Sequence, residues 1–257
     1  ELVEWKNATV HLLNHGLHYA SCVFEGERVY ENEIFKLEDH TKRLFYSAKR
    51  MGIVMPYDEK TINSACKEII TVQKIKNGYV RPVVWRGSEM MAISAQKNKT
   101  HVAIAAWEWG SYFDPKLKLK GIKLKTSSWR RPSPNSVPWD TKAAGLYMIC
   151  TLSKHDAESK GYTDALMLDH EGNIAEATGA NIFFKDKQGS LHTPVPDSFL
   201  DGITRRCVIG IAKSKGIKVV ERKIKPEEMS NFVGCFLTGT AAEITPVSQI
   251  DKFNFEV

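Results

Sequence analysis

The segment from Asp140 to Phe184 constrains this chain most, because it combines a helix pattern, two strand patterns and two isolated charges among small residues. Lys142 opens the predicted helix beside two alanines and a glycine. Strands are predicted at 164–169 and 181–185, with a hairpin turn at 170–173. Alternating helices and strands predict an α/β fold.

Lys142 and Glu176 are the residues of this segment that indicate chemistry. A lysine amine can bond covalently to an aldehyde, and a carboxylate can keep a proton on a ring nitrogen so that the ring draws electrons. These are the two charges that a pyridoxal phosphate site needs. Asp140 or Thr141 is expected to cap the helix that carries Lys142 and Tyr147.

Composition limits the class of protein. The chain has 257 residues, enough for about two domains of ordinary size. The net charge of +6 is diffuse, and the basic run at 116–125 alternates with apolar residues. We therefore expect no nucleic-acid partner. No apolar run reaches the roughly 18 residues of a membrane helix, and no signal peptide is visible, so we expect no membrane partner.

The cysteines and histidines argue against a disulfide scaffold and against a metal site. The five cysteines are scattered and form no CxxC pair, which favours a reducing, cytoplasmic location. No carboxylate or cysteine cluster completes a ligand set with the histidines of the first 40 residues.

The first half of the chain is predicted to contain two strands, at 8–13 and 22–30, followed by two helices. Gly26 inside the second strand indicates a bulge or, alternatively, the close approach of a ligand or another backbone. An amphipathic helix is predicted over 37–51, with Arg43 beside its apolar stripe. A further helix should begin after Asp58 and continue to the Asn-Gly pair at 77–78.

Two more strands are predicted before the middle of the chain. The strand at 79–87 contains Pro82, which suggests an edge or an irregular section, and the two-residue period places Tyr79 and Arg81 on one face. The strand at 101–109 is apolar enough to be buried. Gly, Pro and Lys residues at 110–122 indicate a domain boundary, and the proline-rich segment 128–140 is expected to be an irregular loop.

Two later segments have the features of an anion-binding site. Ile203 and Thr204 fall in the first turn of a helix predicted over 201–216, where backbone N–H groups attract phosphate. The small residues near Thr240 and Ala241 leave backbone amides uncovered. No G-x-G-x-x-G or Walker A motif is present, so a nucleotide-binding fold is not supported.

Taken together, these segments resemble the branched-chain amino acid aminotransferases, which are fold type IV pyridoxal phosphate enzymes. The resemblance covers nearly the whole chain. Its motifs, in order, are FEG at 24–26, HTKRL at 40–44, YVRP at 79–82, WGSY at 109–112, KAAGLY at 142–147, EATGAN at 176–181, GITR at 202–205 and GTAAEITPV at 239–247. Many matched blocks in one order are far more specific than any one of them.

The resemblance implies roles for the cofactor site. Lys142 resembles the catalytic lysine that bonds to the cofactor and shuttles protons, Glu176 resembles the partner of the pyridine nitrogen, and Tyr147 resembles the partner of the ring oxygen. The residues that resemble the phosphate site are Arg43, Ile203, Thr204 and Thr240.

It also implies a substrate site. The backbone amides near Thr240 and Ala241 would hold the α-carboxylate, and Arg81 would accept the distal carboxylate of glutamate. The residues that resemble an aromatic side-chain pocket are Tyr19, Phe24, Tyr79 and Trp109. The implied reaction is a ping-pong transfer of an amino group between leucine, isoleucine or valine and 2-oxoglutarate.

The implied fold has a small N-terminal α/β domain (1–115), a linker (116–122) and a large C-terminal α/β domain (123–257) that carries Lys142, with the cofactor at the domain interface. Family members form homodimers in which a loop completes the neighbour's pocket. The candidate loop here is 88–94, whose methionines we expect to be exposed. Family members usually continue for another helix beyond the last residue here, so we expect the sequence to be trimmed at both ends.

One departure leaves the substrate class open. At position 180 this chain has Ala where many branched-chain enzymes carry a second acid. A D-amino acid or (R)-amine transaminase of the same fold is the first alternative, and an aminodeoxychorismate lyase is the second. A catalytically silent α/β binding protein is the non-enzyme alternative, against which intact Lys142, Glu176 and Arg43 argue.

Overall fold

The computed structural model describes residues 1–257, which form two compact units. The first comprises Glu1–Gly110 with Thr141–Leu146, and the second comprises Ser111–Asp140 with Tyr147–Val257. Compared with the predicted domains, the chain divides a few residues earlier, and Lys142 belongs to the first unit. Most of the predicted linker is a short helix. No helix is long and apolar enough to cross a membrane.

The first unit contains a five-stranded sheet and three helices. Its strands are β1 (Cys22–Phe24), β2 (Glu27–Tyr30), β3 (Glu33–Ile34), β4 (Gly78–Arg86) and β5 (Thr100–Glu108). Its helices are α1 (His15–Tyr19), α2 (Leu37–Arg50) and α3 (Glu59–Val72), after a 3-10 turn at Trp5–Asn7. The strands follow the order β1-β4-β2-β3, with β5 paired to β4.

Strand β4 is central, so Pro82 does not mark an edge strand; it lies in an irregular section of the pairing, which is the other alternative predicted for it. On one side β4 pairs along its whole length with β5. On the other side it pairs with β2 up to Val80 and with β1 from Val83 onward. Pro82 lies where the partner strand changes, and its carbonyl accepts a hydrogen bond from the Glu25 N–H at 2.9 Å. A residue without an N–H is tolerated in this gap.

Three other strand predictions for this unit need correction. The segment 8–13 is not a strand, because its apolar residues find no partner and stay exposed. The strand predicted at 22–30 is interrupted at Glu25 and Gly26, where β1 ends before β2 begins. Strand β5 is half-exposed rather than buried, since β4 is its only partner.

The two long helices follow from their patterns. In α2, Leu44 and Ala48 are fully buried at helical spacing. The α3 helix begins as predicted, with the Asp58 carboxylate accepting a hydrogen bond from the Thr61 N–H at 2.8 Å. It ends at Val72, five residues before the predicted Asn-Gly stop.

The second unit contains nine strands and three helices. Its strands are β6 (Ile122–Arg130), β7 (Asp164–Leu168), β8 (Ile174–Ala177), β9 (Asn181–Asp186), β10 (Leu191–Thr193), β11 (Val219–Glu221), β12 (Phe232–Gly239), β13 (Glu243–Ile250) and β14 (Phe253–Asn254). Its helices are α4 (Pro115–Lys120), α5 (Met148–Ser159) and α6 (Ile203–Ser214), with a 3-10 turn at Pro226–Asn231.

Six of these strands close into a ring. The hydrogen-bonded order runs β9-β12-β13-β6-β7-β8, and β8 pairs back to β9 through Glu176 and Asn181. The core of the unit is formed by apolar side chains of these strands, among them Leu124, Leu166 and Ile182, each fully buried. The ring thus closes at the position of a predicted site residue, Glu176.

Lys142 does not lie in a helix, which corrects the expected helix start. Lys142 follows a bend at Thr141, and Ala143 forms a β-bridge with Val23 of β1. A 3-10 turn at Ala144–Tyr147 follows, and only then does α5 begin. The bridge to β1 satisfies backbone groups that a helix would have used.

Candidate active site

Lys142 is fixed through its backbone on both sides. Its N–H donates to the Ser47 hydroxyl of α2 at 3.1 Å, and its carbonyl accepts from the Phe24 N–H at 3.2 Å. Its Nζ lies 5.0 Å from the centre of the Phe24 ring. A half-buried lysine held in this way presents its amine in one limited region beside an aromatic wall.

Arg81 approaches the same phenyl ring. Its guanidinium carbon lies 4.5 Å from the centre of Phe24, and its Nη2 donates to the Tyr79 hydroxyl at 3.3 Å. Its Nε is buried and has no hydrogen-bond partner. Since a buried donor without a partner is costly, this nitrogen indicates where an acceptor on a ligand would be stabilised.

Gly26 makes room for Tyr79. A Cβ at Gly26 would lie 1.7 Å from the Tyr79 hydroxyl oxygen, so any other residue there would force the Tyr79 side chain to move. The glycine therefore marks the close approach of a side chain rather than a bulge in a continuous strand.

An aromatic cluster surrounds Tyr79. The Trp109 ring lies edge-on at 4.7 Å between centres, and the Trp107 ring lies at 5.2 Å. Trp107 was missed, although it lies two residues before Trp109 and so shares a face with it. Tyr19 does not join this cluster: it lies in α1, is 44% exposed and contacts the ring of His15.

Arg43 is paired with a fully buried carboxylate, Glu25. Arg43 donates from Nε and Nη2 to the two oxygens of Glu25, at 2.6 and 2.9 Å. His40 Nδ1 lies 2.7 Å from the Glu25 Oε2. Burial opposes ionisation of Glu25, but the Arg43 charge and the hydrogen bonds from His40 and Arg43 outweigh it and hold its pKa well below the ordinary value.

A second buried carboxyl, Glu27, lies close by without entering this pair. Neither of its oxygens makes a hydrogen bond within standard distance limits. Burial, and then the charge of Glu25, raise the pKa of Glu27 to about 9. Glu27 is therefore neutral at neutral pH, and Glu25 carries the negative charge that Arg43 faces.

In the second unit, Glu176 is buried and held by two partners. The Arg131 Nε lies 3.3 Å from its Oε1, and the Asn181 amide donates to its Oε2 at 3.4 Å. Arg131 itself is buried, and its guanidinium contacts the sulfur of Cys150 at 3.4 Å. These two contacts fix the position of the Glu176 carboxylate in the unit.

Asn181 connects Glu176 to the start of α6. Its side chain also donates to the Leu200 carbonyl at 2.9 Å and accepts from the Gly202 N–H at 3.0 Å. Gly202 is the N-cap of α6 and supplies no side-chain cap. The first-turn N–H groups, at Ile203 and Thr204, are therefore not capped by the residue before them, which suits an anionic ligand.

Thr240 and Ala241 lie in the tight turn between β12 and β13. The residue before them, Gly239, packs against the turn between β8 and β9: its built Cβ would lie 3.3 Å from the Gly179 carbonyl oxygen and from the Ala180 Cβ. Two turns of small residues thus meet, and Thr240 and Ala241 are half-buried there. Tyr147 lies at the end of the 3-10 turn before α5.

In the first unit the structure brings five of the predicted residues together, and in the second unit it connects Glu176 to the start of α6. Phe24, Lys142, Arg81, Tyr79 and Trp109 form one group in the first unit, while Tyr19 lies apart. In the second unit Asn181 links Glu176 to the start of α6. The residues that sequence reasoning did not assign a role are Ser47, Glu25, Trp107, Arg131 and Asn181.

The side chains present suit an anionic organic ligand better than a metal. Lys142, Arg43 and Arg81 are cations, and the start of α6 offers N–H groups. No group of three or more His, Cys, Asp and Glu side chains is arranged to hold a metal ion.

Comparisons with known proteins identify the family of this chain. The family model for class IV aminotransferases matches residues 22–250. A probable branched-chain-amino-acid aminotransferase of Rickettsia bellii is 45% identical over 100% of this chain and 87% of its own.

Solved structures show the same fold. The branched-chain amino acid aminotransferase of the organism abbreviated T.th., with pyridoxamine 5'-phosphate, superposes with a TM-score of 0.94 and 37% identity, over 98% of this chain and 84% of the other. The same enzyme complexed with N-(5'-phosphopyridoxyl)-L-glutamate gives a TM-score of 0.94 and 36% identity, over 99% and 85% of the two chains. The α/β, fold type IV prediction is thereby confirmed, and this chain belongs to the class IV aminotransferases, in their branched-chain-amino-acid aminotransferase family.

Proposed function

We propose that this protein is a pyridoxal phosphate-dependent transaminase that moves an amino group between branched-chain L-amino acids and 2-oxoglutarate. For leucine the balanced reaction converts L-leucine and 2-oxoglutarate into 4-methyl-2-oxopentanoate and L-glutamate. The two substrates bind in turn, so the kinetics are ping-pong. The names of the relatives support the substrate class, and a relative solved with phosphopyridoxyl-glutamate supports both the cofactor and the second donor.

The observation that carries the proposal is the placement of Lys142. Its peptide is fixed by Ser47 and Phe24, and its amine lies beside a phenyl ring that Arg81 also contacts. A lysine held in this way would hold the cofactor through its aldehyde, and its amine would move a proton at the substrate Cα.

When bound, pyridoxal phosphate supplies an aldehyde that takes up the amino group and a ring that draws electrons from the Cα. We assign Glu176 to hold the proton on the ring nitrogen, because Arg131 and Asn181 fix its carboxylate. Tyr147 would donate to the ring oxygen. The uncapped start of α6, at Ile203 and Thr204, would bind the phosphate together with Arg43 and Thr240.

For the substrate, Phe24, Tyr79 and Trp109 supply apolar surface, and Arg81 supplies a cation for the distal carboxylate of glutamate. The amides of Thr240 and Ala241 would bind the α-carboxylate. The role of Tyr19 stays a prediction from the resemblance. Leucine has no distal charge, so it would use the aromatic surface without Arg81.

The test is a set of single-turnover half-reactions on cofactor-loaded protein. L-leucine, L-glutamate, D-alanine and an (R)-arylalkylamine are added separately, and loss of the visible absorbance of the bound cofactor is followed. We expect fast conversion with L-leucine and L-glutamate only. Conversion with D-alanine or the (R)-amine would instead support the alternative transaminases, and no conversion with any donor would support a silent binding protein.

We also propose a homodimer in a reducing, cytoplasmic compartment. The candidate loop at 88–94 differs from expectation: Met90 and Met91 are half-buried, and Ile93, which is 82% exposed, is its main apolar surface. The exposed apolar residues of the N-terminal segment, among them Trp5 and Leu12, support an interface. A monomer at micromolar concentration in analytical ultracentrifugation would contradict the dimer.

A further inference from the structure

The contact between Glu25 and Arg43 fixes the orientation of the Arg43 guanidinium. The two Arg43 nitrogens that face Glu25 are Nε and Nη2, so both carboxylate oxygens are engaged by one edge of the planar guanidinium. Two parallel bonds fix the plane of the group as well as its position. The remaining edge of the guanidinium then points away from Glu25.

Glu25 is itself held rigidly. It is fully buried, and its Oε2 also contacts His40 Nδ1 at 2.7 Å and accepts from the Gly26 N–H at 3.2 Å. An ionised carboxylate can only accept, so the His40 Nδ1 carries the proton, and the buried His40 Nε2 has no partner. Every donor around Glu25 therefore fixes the acceptor that Arg43 uses.

The neighbouring Glu27 does not share this task. Its oxygens make no hydrogen bond to Arg43, and it is neutral at neutral pH. The chain thus places two buried carboxyls two residues apart. Glu25 is charged and hydrogen-bonded to Arg43, whereas Glu27 is neutral and makes no bond to Arg43.

We propose that Glu25 is a positioning residue that orients Arg43 toward the phosphate of the cofactor. This inference rests on the proposed function, in which Arg43 belongs to the phosphate site. The inference predicts a direction, because Glu25 has two opposite effects on the affinity of Arg43 for phosphate. The negative charge of Glu25 partly neutralises Arg43 and so weakens phosphate binding. The two hydrogen bonds to Glu25 fix the guanidinium and so strengthen phosphate binding. We infer that fixing the guanidinium dominates.

The test compares two aldehydes that differ only in the phosphate. Full-length protein freed of cofactor is titrated with pyridoxal phosphate and with pyridoxal, and binding is followed by tryptophan fluorescence. For Glu25→Gln we expect the dissociation constant for pyridoxal phosphate to rise about tenfold or more, the size of losing one charge-assisted hydrogen bond. The constant for pyridoxal should change less than about twofold.

Glu27→Gln is the matched control. It replaces a buried carboxyl that is already neutral and makes no bond to Arg43, so its preference for pyridoxal phosphate over pyridoxal should equal that of the wild type. Glu25→Asp is the second variant, which keeps the charge and shortens the side chain by one methylene. In this variant the preference for pyridoxal phosphate over pyridoxal should fall severalfold. The variant also keeps the test decisive if Glu25→Gln does not fold.

A double-mutant cycle with Arg43→Gln separates orientation from general damage. If Glu25 acts through Arg43, the Glu25→Gln change should have little further effect on phosphate preference once Arg43 is replaced. The inference is overturned if Glu25→Gln leaves phosphate preference unchanged or raises it, if both aldehydes weaken equally, or if the two changes add. Failure of the wild type to bind either aldehyde would overturn the proposed function itself.

Discussion

At the scale of single residues, Arg81 offers the clearest substrate test. Its guanidinium stacks on Phe24, and its buried Nε has no hydrogen-bond partner. In Arg81→Met the apolar contact with Phe24 is kept while the charge is lost. We expect KM for 2-oxoglutarate to rise roughly 10- to 100-fold, from a lost charged hydrogen bond of about 1.5–3 kcal/mol.

The leucine half-reaction supplies the internal control for Arg81→Met, since leucine carries no distal carboxylate. Its rate should change only severalfold. If leucine and 2-oxoglutarate are affected to the same extent, Arg81 supports the fold of the pocket rather than recognition of the carboxylate.

Glu27 makes a prediction about stability and pH. Burial and the charge of Glu25 raise its pKa to about 9, while in the unfolded chain it titrates near 4.5. Between these values only the unfolded state is ionised, so Glu27 makes the protein less stable as pH rises. Of the groups around it, Arg43 stays charged, Glu25 titrates below this range, and burial and Glu27 raise the pKa of Cys66 beyond it.

The measurement is urea unfolding of wild type and Glu27→Gln between pH 6 and 8.5. The stability of the variant relative to wild type should increase with pH, by up to about 1.4 kcal/mol per pH unit. His40 is present in both proteins, so its own titration cancels. Parallel pH profiles for the two proteins would show that Glu27 is ionised in the fold.

At the scale of secondary-structure elements, the start of α6 depends on the contact between Gly202 and Asn181. Gly202 has ordinary backbone angles, yet a Cβ there would lie 2.2 Å from the Asn181 Oδ1. Gly202→Ala should therefore cost about 1–3 kcal/mol of unfolding free energy through overpacking. It should also weaken cofactor binding, since Asn181 holds Glu176.

Gly210→Ala provides the control within the same helix. A Cβ at Gly210 meets nothing within 4 Å, and the position is exposed. The substitution should stabilise the protein by about 0.5–1 kcal/mol, because alanine favours a helix over glycine. Equal effects of the two substitutions in urea unfolding would contradict the role given to Asn181.

The sequence predicted those elements that can be recognised from a local pattern of residues. Helix α2 has a buried apolar stripe, and α3 has Asp58 as its cap, so both could be recognised locally. The segment 8–13 has the composition of a strand but finds no partner. Lys142 has a helical setting, but its carbonyl accepts from the Phe24 N–H and the next residue, Ala143, pairs with β1. Pairing depends on distant residues, which local patterns do not contain.

At the scale of the whole molecule, the family and its reaction could be predicted because many short motifs occur in one order along the chain. The contacts that hold the site residues in place could not be predicted from the sequence. The Glu25–Arg43 pair joins residues 18 apart, and the bond between Ser47 and Lys142 joins residues 95 apart. Such contacts exist only after the units have folded, so motif spacing does not show them.

The central claim is that Lys142 holds the cofactor, and covalent mapping tests it most directly. Protein loaded with pyridoxal phosphate is reduced with borohydride, which makes the bond between a lysine amine and the cofactor aldehyde permanent, and the labelled peptide is then identified by mass spectrometry. We predict one label, on Lys142, and none in Lys142→Ala. A label on another lysine, or an unchanged label in Lys142→Ala, would contradict the account.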